Sequence, residues 1–269
     1  MKTLRHIAKK FLLLLGLKSS KTRNEKMPKP SEFADDDFDW RIYHEHYREQ
    51  LMAIEKDYVT RLSPGDYSVV DGGLIRAKSP RPLHPNHRLL YETILQLKPA
   101  SIIEAGCGCG DHLRNLHLLA PGLELTGFDR SREQLAMLRE RSPDLKARIE
   151  HLDLTLPYSE LLPQADIVYT QAFVMHINTG NGHPVALSNL FRMAKKQVVL
   201  MENWRQHNFH SDIVFLHGGK MIPWPELHCY YRRVPEWGNR PHLVVVSREP
   251  LGYETLSNDL TLVEQMLPV

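Results

Sequence analysis

The chain has little of what stabilises secreted or membrane-spanning proteins. Its 269 residues include only three cysteines, two of them Cys107 and Cys109. That number is too small for a disulfide framework and favours a reducing compartment. The apolar run at residues 11–17 is far shorter than the roughly 20 residues of a membrane-spanning helix. No small-residue cleavage site follows this run, so the pattern does not predict a signal peptide. We therefore expect a cytoplasmic protein with a substantial core of its own.

Positive charge is also scarce outside the N-terminal segment. Residues 1–26 contain eight Lys/Arg and one Glu, whereas the whole chain has a net charge of only +2. The segment thus carries +7 and the remaining chain −5. An acidic body offers no basic face to a nucleic acid, and we expect no nucleic-acid partner.

The N-terminal segment has the pattern of an interfacial helix. Its apolar residues would lie on one helical face and the basic residues largely on the other; the apolar set is Leu4, Ile7, Ala8, Phe11, Leu14 and Leu15. Such a helix binds the surface of an anionic membrane without crossing it. We predict peripheral attachment to the inner face of the membrane through residues 1–26, followed by a flexible tether over 27–39. A helix docked on a protein and a basic tail remain the alternatives.

The rest of the chain divides into a cap and an α/β region. Residues 40–99 are predicted to form a helical cap: residues 40–62 and 87–97 have helical spacing, Asn86 is a plausible N-cap, and a short β-rich stretch lies at 67–75. From residue 100 onward, strand-like runs at 102–105, 123–128, 147–151, 167–170, 198–201 and 243–246 are mostly separated by helical patterns at 111–119, 131–141 and 184–194. This alternation predicts an α/β fold with a parallel sheet covered on both faces.

A glycine-rich loop follows the first of these strands. Gly106, Gly108 and Gly110 alternate between the strand and the next helix, and they would allow a sharp turn, close approach of a ligand and access to helix N–H groups. A dinucleotide fingerprint requires a further glycine at position 111, but this residue is Asp111. With Glu104 two residues before the first glycine, the segment resembles motif I of class I S-adenosylmethionine-dependent methyltransferases.

The resemblance extends over roughly residues 100–205. Asp129 follows the second strand, where the family binds the ribose hydroxyls, and Asp153 follows the third, near the adenine amino group. The resemblance implies S-adenosylmethionine as cofactor and a Rossmann-like seven-stranded sheet over residues 100–269, with a terminal antiparallel hairpin formed by 227–233 and 242–248. The cofactor-binding residues it implies are Glu104, Gly106, Cys107, Gly108, Gly110, Asp129, Arg130, Asp153, Leu154 and Gln171.

Candidate catalytic and acceptor-binding residues come after the fourth and fifth strands. His176 is the best-placed base, because family members often show a similar apolar-His segment there; a structural histidine is the alternative. Glu202 and His207 are further catalytic candidates. Glu202 and Asn203 resemble the metal-binding pair of catechol-type O-methyltransferases, but Thr170 and Gln171 replace the Asp of that group. We therefore expect no metal. Candidates for acceptor binding are Arg81, His84, Arg88, Trp204 and His210.

The acceptor is the least constrained part of the prediction. The Asp/Asn-Pro-Pro-Tyr segment of amino-group methyltransferases is replaced by residues 170–173, Thr-Gln-Ala-Phe, which disfavours that subclass. An enzyme at the membrane surface would meet lipid-linked glycans, and we expect O-methylation of a sugar hydroxyl on a membrane-associated glycan or surface polysaccharide. The alternatives are a small-molecule O-methyltransferase and a non-catalytic, membrane-tethered subunit that binds the cofactor. The oligomeric state is left open.

Overall fold

A computed structural model describes residues 59–78, 81–178, 180–202, 207–234 and 243–252, together with the backbone of residues 261 and 262. The predicted interfacial helix, the tether and most of the predicted helix at 40–62 lie outside these ranges. Within them, no helix is long and apolar enough to cross a bilayer.

Six helical segments and ten strands make up the described chain. In order they are β1 (Tyr67–Val70), β2 (Gly73–Arg76), α1 (Pro85–Gln96), β3 (Ser101–Ala105), α2 (Asp111–Leu119), β4 (Glu124–Asp129), α3 (Arg132–Arg141), β5 (Arg148–His151), β6 (Ala165–Gln171), a 3-10 turn (Val174–His176), α4 (Gly182–Met193), β7 (Ala194–Met201), α5 (Phe209–Gly218), β8 (His228–Arg232), β9 (Leu243–Ser247) and β10 (Thr261–Leu262).

The main sheet has the strand order β10-β8-β9-β7-β6-β3-β4-β5. Strands β3 to β7 run parallel, whereas β9 is antiparallel to both β7 and β8. The two-residue β10 extends the β8 edge of this seven-stranded arrangement. The predicted parallel sheet and its terminal hairpin are confirmed. Because the carboxyl ends of parallel strands meet at one edge, the loops after β3 to β7 lie on the same side of the molecule.

Two hydrophobic layers cover the sheet. One layer packs α1, α2 and α3 against one face and contains Tyr91, Leu113 and Leu138. The other packs α4 and α5 against the opposite face and contains Phe191 and Phe209. Strands buried on both faces explain the continuous apolar runs of the central strands, since neither side of the sheet meets water.

The predicted cap differs from the structure in three respects. Residues 59–62 are not helical, and they bond instead to α2, where Asn115 accepts from the Leu62 N–H and donates to the Thr60 carbonyl. The described cap contains an antiparallel hairpin, β1–β2, in addition to one helix. The N-cap of α1 is His84 rather than Asn86, because the His84 side chain accepts from the Asn86 N–H. A proline at the first helical position allows this earlier start.

Candidate active site

The glycine loop joins β3 to α2 through backbone conformations that favour glycine. Gly106, Gly108 and Gly110 have φ angles of +74°, +51° and +73°. A Cβ on Gly106 would lie 2.5 Å from the Phe173 ring, so a larger residue would collide as well as strain the backbone. The N–H groups of Gly106 and Cys107 both donate to the Phe128 carbonyl at 2.8 Å. These two loop N–H groups are thus used within the protein, and what the loop offers at Gly106 is a close backbone surface.

Two carboxylates stand at the ends of neighbouring strands. Asp129, at the end of β4, accepts from the Gly108 N–H at 2.9 Å and from the Ser131 N–H at 2.7 Å. Asp153, just after β5, accepts from both the N–H and the hydroxyl of Thr155, at 2.9 and 2.7 Å. These bonds fix the orientation of both side chains. Ionised carboxylates held in this way can accept further hydrogen bonds from ligand hydroxyl and amino groups.

A cleft that is open to solvent lies over these strand ends. It brings together five of the predicted cofactor-binding residues, namely Gly106, Asp129, Arg130, Asp153 and Leu154. It also contains His176, the predicted base. Lining residues that the sequence analysis did not identify are Phe128, Leu152, Thr155, Phe173 and Ile177. In the sequence, these residues could have been found only from their position beside the identified ones. Apolar residues at such positions are equally typical of the core.

Five predicted cofactor-binding residues are not among those that line this cleft. Glu104 is only 1% exposed, and burial raises the pKa of its carboxyl well above the usual value. Cys107 is also buried. The Gln171 side chain bonds to His112 in the first turn of α2. Gly108 and Gly110 shape the loop and are not among the lining residues, and the predicted contact of these five residues with the cofactor stays a prediction.

His176 reaches the cleft from the 3-10 turn that follows β6. Burial lowers the pKa of its imidazole below the ordinary value of 6.5, because desolvation disfavours the charged form. The ring is therefore neutral at neutral pH and able to accept a proton. This geometry agrees with the predicted position of the base.

Glu202 has a different environment from the one expected for a catalytic residue. It is 7% exposed and lies just after β7. One carboxylate oxygen accepts from the Thr170 hydroxyl at 2.6 Å and from the N–H groups of Phe173 and Val174 at 3.0 and 3.2 Å. The other accepts from the Met175 N–H at 3.0 Å. These four bonds match the acceptor capacity of a carboxylate, so Glu202 is not a base facing the acceptor.

The remaining candidates, which follow β7, contact other side chains of the protein. The ring of His207 stacks on His183 at a centroid distance of 4.1 Å. His210 lies in the first turn of α5, where its Nδ1 is 3.0 Å from the Tyr231 hydroxyl. Neither lines the cleft. The predicted catalytic role of His207 thus lacks a geometric basis in the described residues, and Trp204 lies outside them.

Three candidates for acceptor binding, Arg81, His84 and Arg88, precede the methyltransferase domain. Arg88 donates to Glu92 and to the Leu74 carbonyl, both at 2.9 Å, and so holds the β1–β2 hairpin against α1. His84 caps α1. Arg81 is exposed. None of the three lines the cleft, and their predicted contact with the acceptor stays a prediction.

Comparison with known proteins agrees with this geometry. Residues 102–197 match a family model described as a methyltransferase domain. These residues form a methyltransferase domain. A TehB-like S-adenosylmethionine-dependent methyltransferase from Corynebacterium glutamicum is 16% identical, with a TM-score of 0.50 over 77% of this chain and 97% of that one. At this identity the likeness concerns the fold.

Two further solved structures are less similar. The magnesium protoporphyrin IX methyltransferase of Synechocystis, solved with bound S-adenosylmethionine, is 18% identical, with a TM-score of 0.43 over 61% of this chain and 78% of that one. DesVI of Streptomyces venezuelae is 21% identical, with a TM-score of 0.34 over 40% of this chain, which spans only 44% of DesVI. A search of curated proteins found no significant match.

The cofactor of this domain is S-adenosylmethionine, and the cleft fits it chemically. Asp129 and Asp153 offer acceptors for the ribose hydroxyls and the adenine amino group. Phe128, Leu154 and Ile177 add apolar side chains to the lining, as is typical of sites for small molecules. The Gly106 backbone allows the close approach that a side chain would prevent.

Proposed function

We propose that this methyltransferase transfers the methyl group to a hydroxyl oxygen, with His176 as the proton acceptor. The observation that carries the proposal is the position of a neutral imidazole in the same cleft as Gly106 and Asp129. A hydroxyl is a weak nucleophile and must lose its proton as the oxygen attacks, so a base within hydrogen-bond reach accelerates the transfer.

The bound cofactor would supply an electrophilic methyl group on its sulfonium. The chain's own residues position the cofactor and the acceptor and deprotonate the acceptor hydroxyl. Asp129 and Asp153 hold the ribose and the adenine of the cofactor, and Phe173 and Ile177 lie in the same cleft as His176. As the acceptor oxygen bonds to the methyl carbon, the carbon–sulfur bond of the cofactor would break and S-adenosylhomocysteine would leave, while the hydroxyl proton would move to the His176 imidazole and then to solvent.

We further propose that the acceptor is a sugar hydroxyl of a membrane-associated glycan or surface polysaccharide. The support is the basic, apolar pattern of residues 1–26, which would hold the enzyme where such glycans are assembled. A soluble small molecule is the alternative acceptor. The intact Gly106, Asp129 and His176 in one cleft disfavour a subunit that only binds cofactor.

The proposal is tested by S-adenosylhomocysteine release against a panel of cell-envelope glycans and small phenols and amines, with and without a chelator. The product's methyl carbon is then assigned by NMR, and Asp129→Ala serves as the cofactor-binding control. A methyl ether on a sugar supports both parts of the proposal. A methyl ether on a small molecule supports transfer to a hydroxyl oxygen but not the sugar acceptor. Methylation at nitrogen alone would overturn both parts.

A further inference from the structure

The turn after β6 begins with a backbone conformation that L side chains rarely adopt. Ala172 has a φ angle of +51°, although it carries a side chain. Such a residue lies in a sparsely populated region and keeps this conformation only where surrounding contacts hold it. The contacts that hold Ala172 and the following residues therefore decide where the turn is placed.

These contacts come from the end of β7. The Met201 carbonyl accepts from the Ala172 N–H at 2.9 Å. The next three N–H groups, at Phe173, Val174 and Met175, all donate to the Glu202 carboxylate. Four consecutive N–H groups thus bond to one strand end, and the Thr170 hydroxyl donates to the same carboxylate.

The turn carries two residues that line the cleft. The Phe173 ring packs so closely on Gly106 that a Cβ there would lie 2.5 Å from it. His176 follows three residues later, and its own N–H donates to the Phe173 carbonyl at 3.1 Å. A displacement of the turn would therefore move both the contact with the glycine loop and the imidazole.

We propose that Glu202 is a positioning residue, whose carboxylate holds the turn that places Phe173 on Gly106 and His176 at the cleft. A carboxylate suits this task because it has only acceptor sites, about four of them, for the four donors. A glutamine in the same place would offer a single acceptor oxygen and would turn its amide N–H groups towards donors. The effect on turnover rests on the proposed function, but the placement of the turn does not.

The test is an NMR titration of the His176 imidazole in the protein saturated with S-adenosylhomocysteine, with His176→Gln used to assign the signal. In the unchanged protein, the pKa of His176 should lie below 6.5, because the ring is buried. In Glu202→Gln it should rise by about half a unit as the loosened ring gains water. The other charged groups lining this cleft, Arg130, Asp129 and Asp153, are unchanged in both proteins. Affinity for S-adenosylhomocysteine should fall about 3- to 10-fold as Phe173 leaves Gly106.

Asp166→Asn is the matched control. Its carboxylate lies at the opposite end of β6, where it accepts from the Ala100 N–H at 2.9 Å and from Lys196 Nζ at 3.0 Å. This change should lower the melting temperature but leave the His176 titration unaltered. A merely structural role for Glu202 would give the same result in both variants.

A folded Glu202→Gln protein with an unchanged His176 titration would overturn the proposal. If that variant does not fold, Thr170→Val removes one donor to the same carboxylate and should shift the His176 pKa in the same direction by a smaller amount; no shift would equally overturn it. The titration needs no acceptor, so it fails or succeeds independently of the reaction. Loss of the O-methylation proposal would leave this result standing, and the reverse also holds.

Discussion

The two walls of the cleft are built in different ways. The cofactor wall consists of a glycine loop and two carboxylates at the ends of β3, β4 and β5, and the bonds that orient them are made with residues at neighbouring strand ends. The opposite wall is a turn whose placement depends on Glu202, a residue 27 to 29 positions away from the backbone groups that it binds. The first wall follows from a local pattern, whereas the second depends on tertiary contacts.

The two walls have different roles, cofactor binding for the first and proton transfer for the second. The cofactor wall offers fixed acceptors and a close backbone surface, which are binding features. The opposite wall presents the imidazole of His176, whose lowered pKa makes it suited to proton transfer. Removal of a carboxylate from the cofactor wall should therefore act mainly on cofactor affinity, and removal of the His176 imidazole should act mainly on turnover.

The largest expected effect is on the opposite wall. His176→Ala should lower turnover by about 10²- to 10⁴-fold while leaving cofactor affinity nearly unchanged, because the base is lost but Asp129 and Asp153 remain. The control is His228→Ala, a histidine at the opposite edge of the sheet that pairs with Glu226. Near-normal turnover in His176→Ala would contradict the assignment of the base.

A change in the glycine loop should affect both walls. Gly106→Ala should lower the free energy of unfolding by about 2–4 kcal/mol, because it combines a positive φ with a collision against Phe173. Gly65→Ala is the matched control, because Gly65 has a positive φ of +87° but nothing within 4 Å, and it should lose only the part that comes from backbone strain. Urea denaturation measures both, and equal stability of the two variants would refute the close packing of the walls.

Removal of a carboxylate should act on the cofactor wall alone. Asp129→Ala should weaken S-adenosylhomocysteine binding by about 1.5–3 kcal/mol through the loss of charge-assisted hydrogen bonds to the ribose. Calorimetry measures this change. Unaltered affinity would mean that Asp129 orients the loop through Gly108 without touching the cofactor.

The pH dependence of turnover should report the imidazole. Since the pKa of His176 is lowered, the neutral form persists above 6.5, and kcat/KM should be level there. As the pH falls below the lowered pKa, the ring takes up a proton and kcat/KM should fall about tenfold per pH unit. A decrease of kcat/KM as the pH is raised through the same range would contradict the assignment of neutral His176 as the base.

The sequence was informative where the signals are local. The helix at 111–119 was predicted with the bounds that α2 has, because Gly110 and Asp111 mark its start. Helix α5 was missed, since its residues have no clear polar face: Val214 and Phe215 are exposed beside the buried Ile213 and Leu216. Glu202 could be predicted as a site residue from its place at a strand end. Its role as the acceptor for the turn could not be predicted, because the N–H groups that it binds are 27 to 29 residues away in sequence.

The smallest expected effect concerns residues 1–26, which lie outside the described residues. Their cations contribute about 1 kcal/mol each only close to an anionic surface, and salt screens this attraction. Sedimentation with anionic liposomes should therefore weaken as the salt concentration rises, and deletion of residues 1–26 should abolish it while sparing cofactor binding. Equal binding by the truncated and complete chains would remove the membrane proposal.

Calorimetric titration of the complete chain with S-adenosylhomocysteine and, separately, with NADH tests the central claim most directly. The cleft over β3, β4 and β5 should bind the sulfur compound, because Asp129 and Asp153 match its hydroxyl and amino groups and Gly106 permits close approach. No binding of NADH is expected, since Asp111 stands where a dinucleotide loop needs glycine. Binding of NADH with no affinity for S-adenosylhomocysteine would contradict the account.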